Sequence, residues 1–130
     1  MFTIEQVKAA HAKVKSGADF PAYVQELIQL GVRSYDIFVS DGHGEYRGEN
    51  NFQTASAAKY NTLLVANHSS VETFRERLKI HQQGGSDYMT FCHDAAANGV
   101  EKWTVDMEKM TCVYYDKAGI EMVAETIPGI

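Results

Sequence analysis

The feature of this sequence that most constrains its fold is an internal similarity between residues 17–46 and 85–114, at an offset of 68 residues. Because the shared residue types mark helix ends, strand starts and core positions, the similarity predicts one structural unit present twice. We expect a single domain over residues 1–130, built from repeats at approximately 3–66 and 69–126. The identical residues are Gly17, Asp19, Gly31, Val32 and Tyr46 in the first segment and Gly85, Asp87, Gly99, Val100 and Tyr114 in the second.

Each copy has the pattern of a helix followed by a glycine stop and a strand. Asp19 and Asp87 stand where a helix N-cap belongs, because a carboxylate there accepts hydrogen bonds from the N–H groups of the first turn. Gly31 and Gly99 stand where the helix should end in the left-handed conformation. Apolar residues then recur at every second position, as in a half-buried strand. These residues are Tyr35, Ile37 and Val39 in the first copy and Trp103, Val105 and Met107 in the second.

A further helix is predicted at the start of each copy. Thr3-x-x-Gln6 and Ser69-x-x-Glu72 both resemble capping boxes, in which the first side chain and the fourth satisfy each other's backbone N–H groups. Apolar residues follow both sites at spacings of three and four, which is typical of one buried helix face. Each copy is therefore expected to begin with two helices.

Turn signals predict the remaining strands. Asp-Gly at positions 41 and 42 favours a hairpin with a returning strand over 44–47. In the second copy, 111–115 is predicted to return, and the turn at 116–119 leads to a third strand over 120–125. The first-copy counterpart of that third strand is predicted over 60–66, after a longer loop.

The predicted fold class is α+β, with an internally duplicated α-α-β-β-β unit. The simplest assembly is a mainly antiparallel sheet of about six strands with the helices packed on one face. Lys102, Thr104 and Asp106 alternate with the apolar positions and predict an open second face. Phe38 shares that face in the first copy, where it is either an isolated exposed aromatic residue or part of a contact surface.

Composition excludes some classes of function. The formal net charge is −5, with 12 basic and 17 acidic residues, so binding to a nucleic-acid backbone is not expected. The apolar runs are too short to span a bilayer and no export signal begins the chain, so we expect a cytoplasmic protein without membrane contact. The two cysteines lack metal-type spacing, and neither a metal nor a cofactor is expected.

Few residues of the sequence are candidates for a catalytic role. The turn Asp41-Gly42-His43-Gly44 could bring an acid/base pair close to a ligand, although an ordinary exposed hairpin turn explains it as well. Cys92 is a candidate nucleophile, and a small core residue is the simpler interpretation. No motif for phosphate binding, dinucleotide binding or an activated serine is present in the sequence.

Motif positions across the second copy resemble a known family. They are Asp87-Tyr88-x-x-Phe91-Cys92, Ala96-x-x-Gly99-Val100-x-x-Trp103-x-Val105-Asp106 and Cys112-x-Tyr114-Tyr115-Asp116. With them the chain resembles the YdfO/YbcV-like family of small bacterial, often prophage-borne proteins, which carry the label phage envelope protein. The resemblance implies an α+β fold and brings no activity or catalytic residues.

The leading functional prediction is a non-enzymatic binding or interaction module for an unknown small molecule or protein. Two related halves can leave a cleft at their junction, and paired aromatic residues could line it or simply fill the core. The alternatives are a small enzyme that uses Asp41, His43 or Cys92, and an oligomeric phage accessory or structural protein that forms homo-oligomers. The predicted ligand-binding residues are Tyr35, Trp103, Tyr46, Tyr114, Asp41 and His43.

Overall fold

The computed structural model describes residues 1–15 and 17–128. Over these residues the chain forms four α-helices and six β-strands, so the predicted α+β class is confirmed. Short 3₁₀ turns precede the second helix and the third strand. In chain order the elements are α1 (Ile4–His11), α2 (Phe20–Leu30), β1 (Ser34–Phe38), β2 (Gly44–Arg47), β3 (Gln53–Ala55), α3 (Val71–Gln82), α4 (Tyr88–Ala97), β4 (Val100–Asp106), β5 (Thr111–Asp116) and β6 (Glu121–Thr126).

The six strands form one sheet in the order β3-β2-β1-β4-β5-β6, and all neighbours are antiparallel. The two halves of the chain meet at the central β1–β4 pair. There Asp36 lies opposite Thr104, and these residues are separated by the same 68 positions as the sequence similarity. The register is therefore symmetric about this pair. Duplication as the origin of that symmetry stays a prediction.

Several predicted helix ends are confirmed. Thr3 and Gln6 form a complete capping box at the start of α1. Asp87 caps α4, because its Oδ1 accepts a hydrogen bond from the N–H of Thr90 at 2.7 Å. Gly31 and Gly99 follow α2 and α4 with φ of 100° and 87°, which are the left-handed values expected at helix stops.

Two predicted caps are wrong. Helix α3 begins at Val71 after Ser70, so the capping box predicted from Ser69 does not form. The N–H of Ser70 instead donates to the carbonyl oxygen of Asn98 at 2.9 Å, and this tie to the end of α4 sets where α3 begins. Asp19 occupies the expected position before α2, but its Oδ2 accepts from the backbone N–H of Lys15 at 2.8 Å instead of capping the helix.

The third strand of the first half was predicted in the wrong place. Residues 60–66 form no strand, and the position beside β2 is occupied by β3 from within the predicted loop. Segment 60–66 instead connects β1 to α4, since the N–H of Leu63 donates to Ser40 and that of Ala66 donates to Ala96. The corresponding strand of the second half, β6, is confirmed.

The helices cover one face of the sheet, and the core lies between the two layers. The alternating residues of β1 and β4 that were predicted to face inward are buried. On the opposite face, Asp36 accepts hydrogen bonds from both terminal nitrogens of Arg47, at 3.2 and 3.3 Å, and from Oγ1 of Thr104 at 2.6 Å. Phe38 is half-buried there, because its ring stacks on His43 with centroids 4.5 Å apart.

Candidate ligand-binding cavity

A cavity of about 440 Å³ lies between the sheet and the helix layer, with walls from both halves of the chain. That volume falls within the range of small-molecule sites. Exposed residues such as Lys15, Ala18 and Lys59 contribute to its lining, so the cavity reaches the surface of the protein. The cavity therefore has an opening toward solvent on the side of these residues.

Four predicted ligand-binding residues form the sheet side of this cavity. Tyr35 and Tyr46 are partners across β1 and β2, with ring centroids 5.2 Å apart. Trp103 and Tyr114 are partners across β4 and β5, at 5.8 Å. The structure thus brings the four rings together on one floor, where each is almost fully buried by protein. Ligand binding by these rings stays a prediction.

Aromatic residues also line the helix side of the cavity. Phe20 and Tyr23 come from α2, and Tyr88 and Phe91 come from α4. These four occupy aligned positions of the two sequence segments, as do the four rings of the floor. The aligned aromatic residues at 20 and 88 and at 23 and 91 were therefore a signal that sequence reasoning could have used to find the helix side.

Two histidines contribute polar atoms to the helix side. The ring of His11 makes edge contacts with Tyr23 and Tyr88, at centroid distances of 5.4 and 5.5 Å. His81 stacks on Phe91 at 4.4 Å, and its Nδ1 lies 3.1 Å from the carbonyl oxygen of Ser86, to which it can donate. Burial lowers the pKa of both histidines below the ordinary value of 6.5. Both rings are therefore neutral at physiological pH.

The tyrosine hydroxyls keep their protons. Burial raises the pKa of Tyr23, Tyr35 and Tyr114 above the ordinary value of 10.0. The hydroxyls of Tyr23 and Tyr46 are close enough to influence each other's pKa. The cavity therefore offers flat apolar rings together with neutral donors and acceptors, a combination that suits an organic molecule with at least one ring.

Three charged side chains belong to the cavity lining. Oε1 of Glu125 accepts a hydrogen bond from Nε2 of Gln82, also a lining residue, at 2.6 Å. Lys15 and Lys59 are the two cations. Sequence reasoning missed Lys59, and no local pattern around it could have indicated its position in the fold.

The other two predicted ligand-binding residues lie at the β1–β2 turn. Asp41 Oδ1 accepts from the backbone N–H of His43 at 3.0 Å and lies 2.6 Å from Nδ1 of the same residue. The second ring nitrogen of His43 lies 3.2 Å from Oε2 of Glu45. Neither Asp41 nor His43 is among the described residues that line the cavity. The turn is thus a self-contained polar cluster.

Ionisation at this turn follows from the same contacts. Partial burial would lower the pKa of His43, but hydrogen bonds to Asp41 and Glu45 outweigh that effect and raise it above 6.5. Partial burial would likewise raise the pKa of Asp41, but hydrogen bonds from His43 outweigh it and lower the value below 3.8. The two groups therefore favour an ion pair, in which the imidazolium has no free nitrogen to act as a base.

Cys92 does not belong to that cluster. It is fully buried, and its thiol lies near the hydroxyls of Tyr60 and Tyr88. Burial raises the pKa of the Cys92 thiol, so little reactive thiolate is present at neutral pH. In the described parts of the chain, no hydrogen bond or ion pair joins Cys92 to Asp41 or His43.

The described residues contain neither a cluster of metal-ligating side chains nor a membrane-spanning helix. Within 1–15 and 17–128, His, Cys, Asp and Glu side chains do not gather in groups of three or more that could hold a metal ion. Over the same residues, every helix is too short or too polar to cross a membrane.

The fold and the cavity define a small α+β protein with an aromatic cavity between one antiparallel sheet and its helices. The chain belongs to the DUF1398 family, described as a protein of unknown function, whose model matches residues 8–126. No curated protein matches the chain. The resemblance to the YdfO/YbcV-like family and its phage label stays a prediction.

Proposed function

We propose that this protein binds a small, ring-containing organic molecule in the aromatic cavity and does not transform it. The observation that carries the proposal is the convergence of eight aromatic side chains from both halves on one cavity of about 440 Å³. Stacking and edge contacts with such rings favour flat apolar ligands, and the tyrosine hydroxyls can fix their orientation.

A binding role has more support than catalysis. A general base or nucleophile must face the bound molecule with a suitable protonation state. His43 is held by two carboxylates outside the lining, and Cys92 is a buried thiol with a raised pKa. The histidines within the lining are neutral, but neither has a carboxylate hydrogen-bonded to its ring among the described residues.

The oligomeric phage accessory protein is a weaker alternative. It depends on Phe38 as part of a contact surface and on a strand over 60–66. Phe38 stacks on His43, and segment 60–66 forms no strand. Phage origin and a cytoplasmic location stay predictions of the sequence alone.

The binding proposal is tested with a panel of one-ring and two-ring aromatic compounds. Trp103 is the only tryptophan of the chain and lies in the cavity floor, so a bound ring should change its fluorescence. A ligand that binds only the folded state also raises the melting temperature, and saturation at a hundred times Kd stabilises by about 2.7 kcal/mol.

Matched variants locate the site. Ala18→Phe places a large side chain at an exposed position of the cavity lining, whereas Ala22→Phe places it on an exposed position of α2 outside that lining. We expect the first variant to weaken binding by about tenfold and the second to leave it unchanged. The proposal fails if no compound binds, or if both variants bind like the wild type.

A further inference from the structure

The segment that carries Lys59 is fixed against the end of β1. The backbone N–H of Lys59 donates to the carbonyl oxygen of Asp41 at 2.8 Å, and that of Leu63 donates to Ser40 at 2.7 Å. Between them, the hydroxyl of Tyr60 donates to the carbonyl oxygen of Val39 at 2.6 Å. These three hydrogen bonds place Lys59 in the cavity lining, although it belongs to an irregular connection.

Among the described residues, the ammonium group of Lys59 has no carboxylate partner. Two lysines have ionic partners, since Lys13 lies 3.1 Å from Glu26 and Lys102 lies 3.8 Å from Asp36. Within residues 1–15 and 17–128, no hydrogen bond or ion pair satisfies the side chain of Lys59. An anionic group beside this unpaired cation would form a charge-assisted hydrogen bond with it, which is stronger than a neutral one.

The surroundings of Lys59 agree with an anion at this end of the cavity. Partial loss of hydration lowers the pKa of Lys59; of its electrostatic neighbours, Lys8 adds to that effect and Cys92 opposes it. His11, whose ring is neutral, is close enough to sense the Lys59 charge. Glu125, the acidic residue of the lining, is held by Gln82 and is not among these neighbours.

We propose that the ligand is an aromatic acid, whose ring lies on the Tyr and Trp floor and whose carboxylate is paired with Lys59. This inference rests on the proposed binding function and adds the charge of the ligand to it. The floor recognises the ring, and Lys59 at the irregular connection distinguishes the acid from its neutral analogues.

The test compares two probes of nearly the same shape, of which one is an anion at neutral pH and the other is neutral. Naphthalene-2-carboxylate and naphthalene-2-carboxamide are titrated calorimetrically into the full-length protein. We expect the carboxylate to bind about tenfold more tightly than the amide, because a charge-assisted hydrogen bond to a partly desolvated ammonium adds to ring binding. Lys59→Met, which keeps the length of the side chain, should remove that preference while the amide binds as before.

Two further variants control for charge and folding. Lys79→Met removes an exposed α3 lysine outside the cavity lining and should keep the tenfold preference. Lys59→Arg retains the positive charge and should preserve most of the preference for the carboxylate. A loss of preference in Lys59→Met alone is then due to the lost charge and not to a folding defect. Equal binding of acid and amide to the wild type, or an unchanged preference in Lys59→Met, overturns the inference and leaves the binding function standing. If neither probe nor any compound of the panel binds, the binding function itself fails.

Discussion

The three partly buried histidines show how local contacts set ionisation at the residue scale. His43 gains two carboxylate partners, and its pKa rises, whereas His11 and His81 lie among aromatic rings, and burial lowers their pKa. Residues of one type therefore contribute to stability with opposite dependence on pH. The sequence predicted that His43 and Asp41 are near each other, since they belong to one turn. It could not predict which histidines the core would surround.

Stability is predicted to depend on His43 below about pH 6.5. Because folding raises its pKa, its contribution is fully present below the unfolded value of 6.5 and is lost as pH rises through the folded value. His43→Gln should therefore destabilise the protein more at pH 5.5 than at pH 9, by less than about 1 kcal/mol for so accessible a pair. Urea unfolding at the two pH values measures the difference.

His81→Gln provides a control of opposite sign. Folding lowers the pKa of His81, so the contribution of this histidine to stability is present above pH 6.5 and is lost as pH falls through the folded value. Relative to the wild type, this variant should gain stability as the solution is acidified. The interpretation is contradicted if both variants change in the same direction with pH.

At the scale of the elements, two glycines with positive φ differ in why a side chain is excluded: conformational strain acts at both, and steric contact acts at one. Gly99 follows α4 with φ of 87°, and a Cβ there would lie 2.3 Å from the carbonyl oxygen of His68. Gly119, in the turn between β5 and β6, has φ of 79° with open space around it. The first glycine is needed for both conformation and packing, and the second only for conformation.

Gly119→Ala is expected to cost about 1–2 kcal/mol, which is the strain of a left-handed alanine. Gly99→Ala should cost about 2 kcal/mol more, because the backbone at His68 must move to admit the methyl group. Chemical denaturation of both variants gives the comparison. Equal destabilisation would show that the approach of His68 to Gly99 is not a constraint on the fold.

The first half of the sheet shows where element prediction failed. Segment 60–66 is apolar enough for a strand, but its N–H groups bond to the end of β1 and to α4. The more polar β3, with only three residues, pairs with β2 instead. Which segment pairs with β2 depends on competition between hydrogen-bond partners far apart in the chain, and the local sequence does not indicate its outcome.

At the scale of the whole molecule, the two halves are joined through the central strands. Asp36, almost fully buried on the outer face of β1, is bound by Thr104 from the second half and by Arg47 from β2. The core on the other face is continuous across the same boundary, since Tyr35 and Trp103 line one cavity. The halves should therefore unfold together.

Asp36→Ala is predicted to destabilise the whole protein by about 1–3 kcal/mol, because it leaves a half-buried guanidinium and a hydroxyl without their acceptor. Glu45→Ala is the matched control, since Glu45 is the exposed partner of Asp36 on β2 and should cost less than about 1 kcal/mol. Circular dichroism reports the helices and Trp103 fluorescence reports the cavity floor. Their transitions should coincide in both variants, and separate transitions would contradict unfolding as one unit.

The sequence by itself determined the local features of this protein. Glycines at helix ends, the Asp87 cap of α4 and alternating apolar positions act within a few residues, so α2, α4, β1 and β4 and the α+β class could be predicted. The internal similarity also marked the aromatic residues that line the cavity. Only the tertiary structure decided the place of β3, the arrangement of rings around one cavity and the position of Lys59 in its wall. These features depend on contacts between residues far apart in the chain. Such contacts exist only in the folded protein, so no local pattern in the sequence can indicate them.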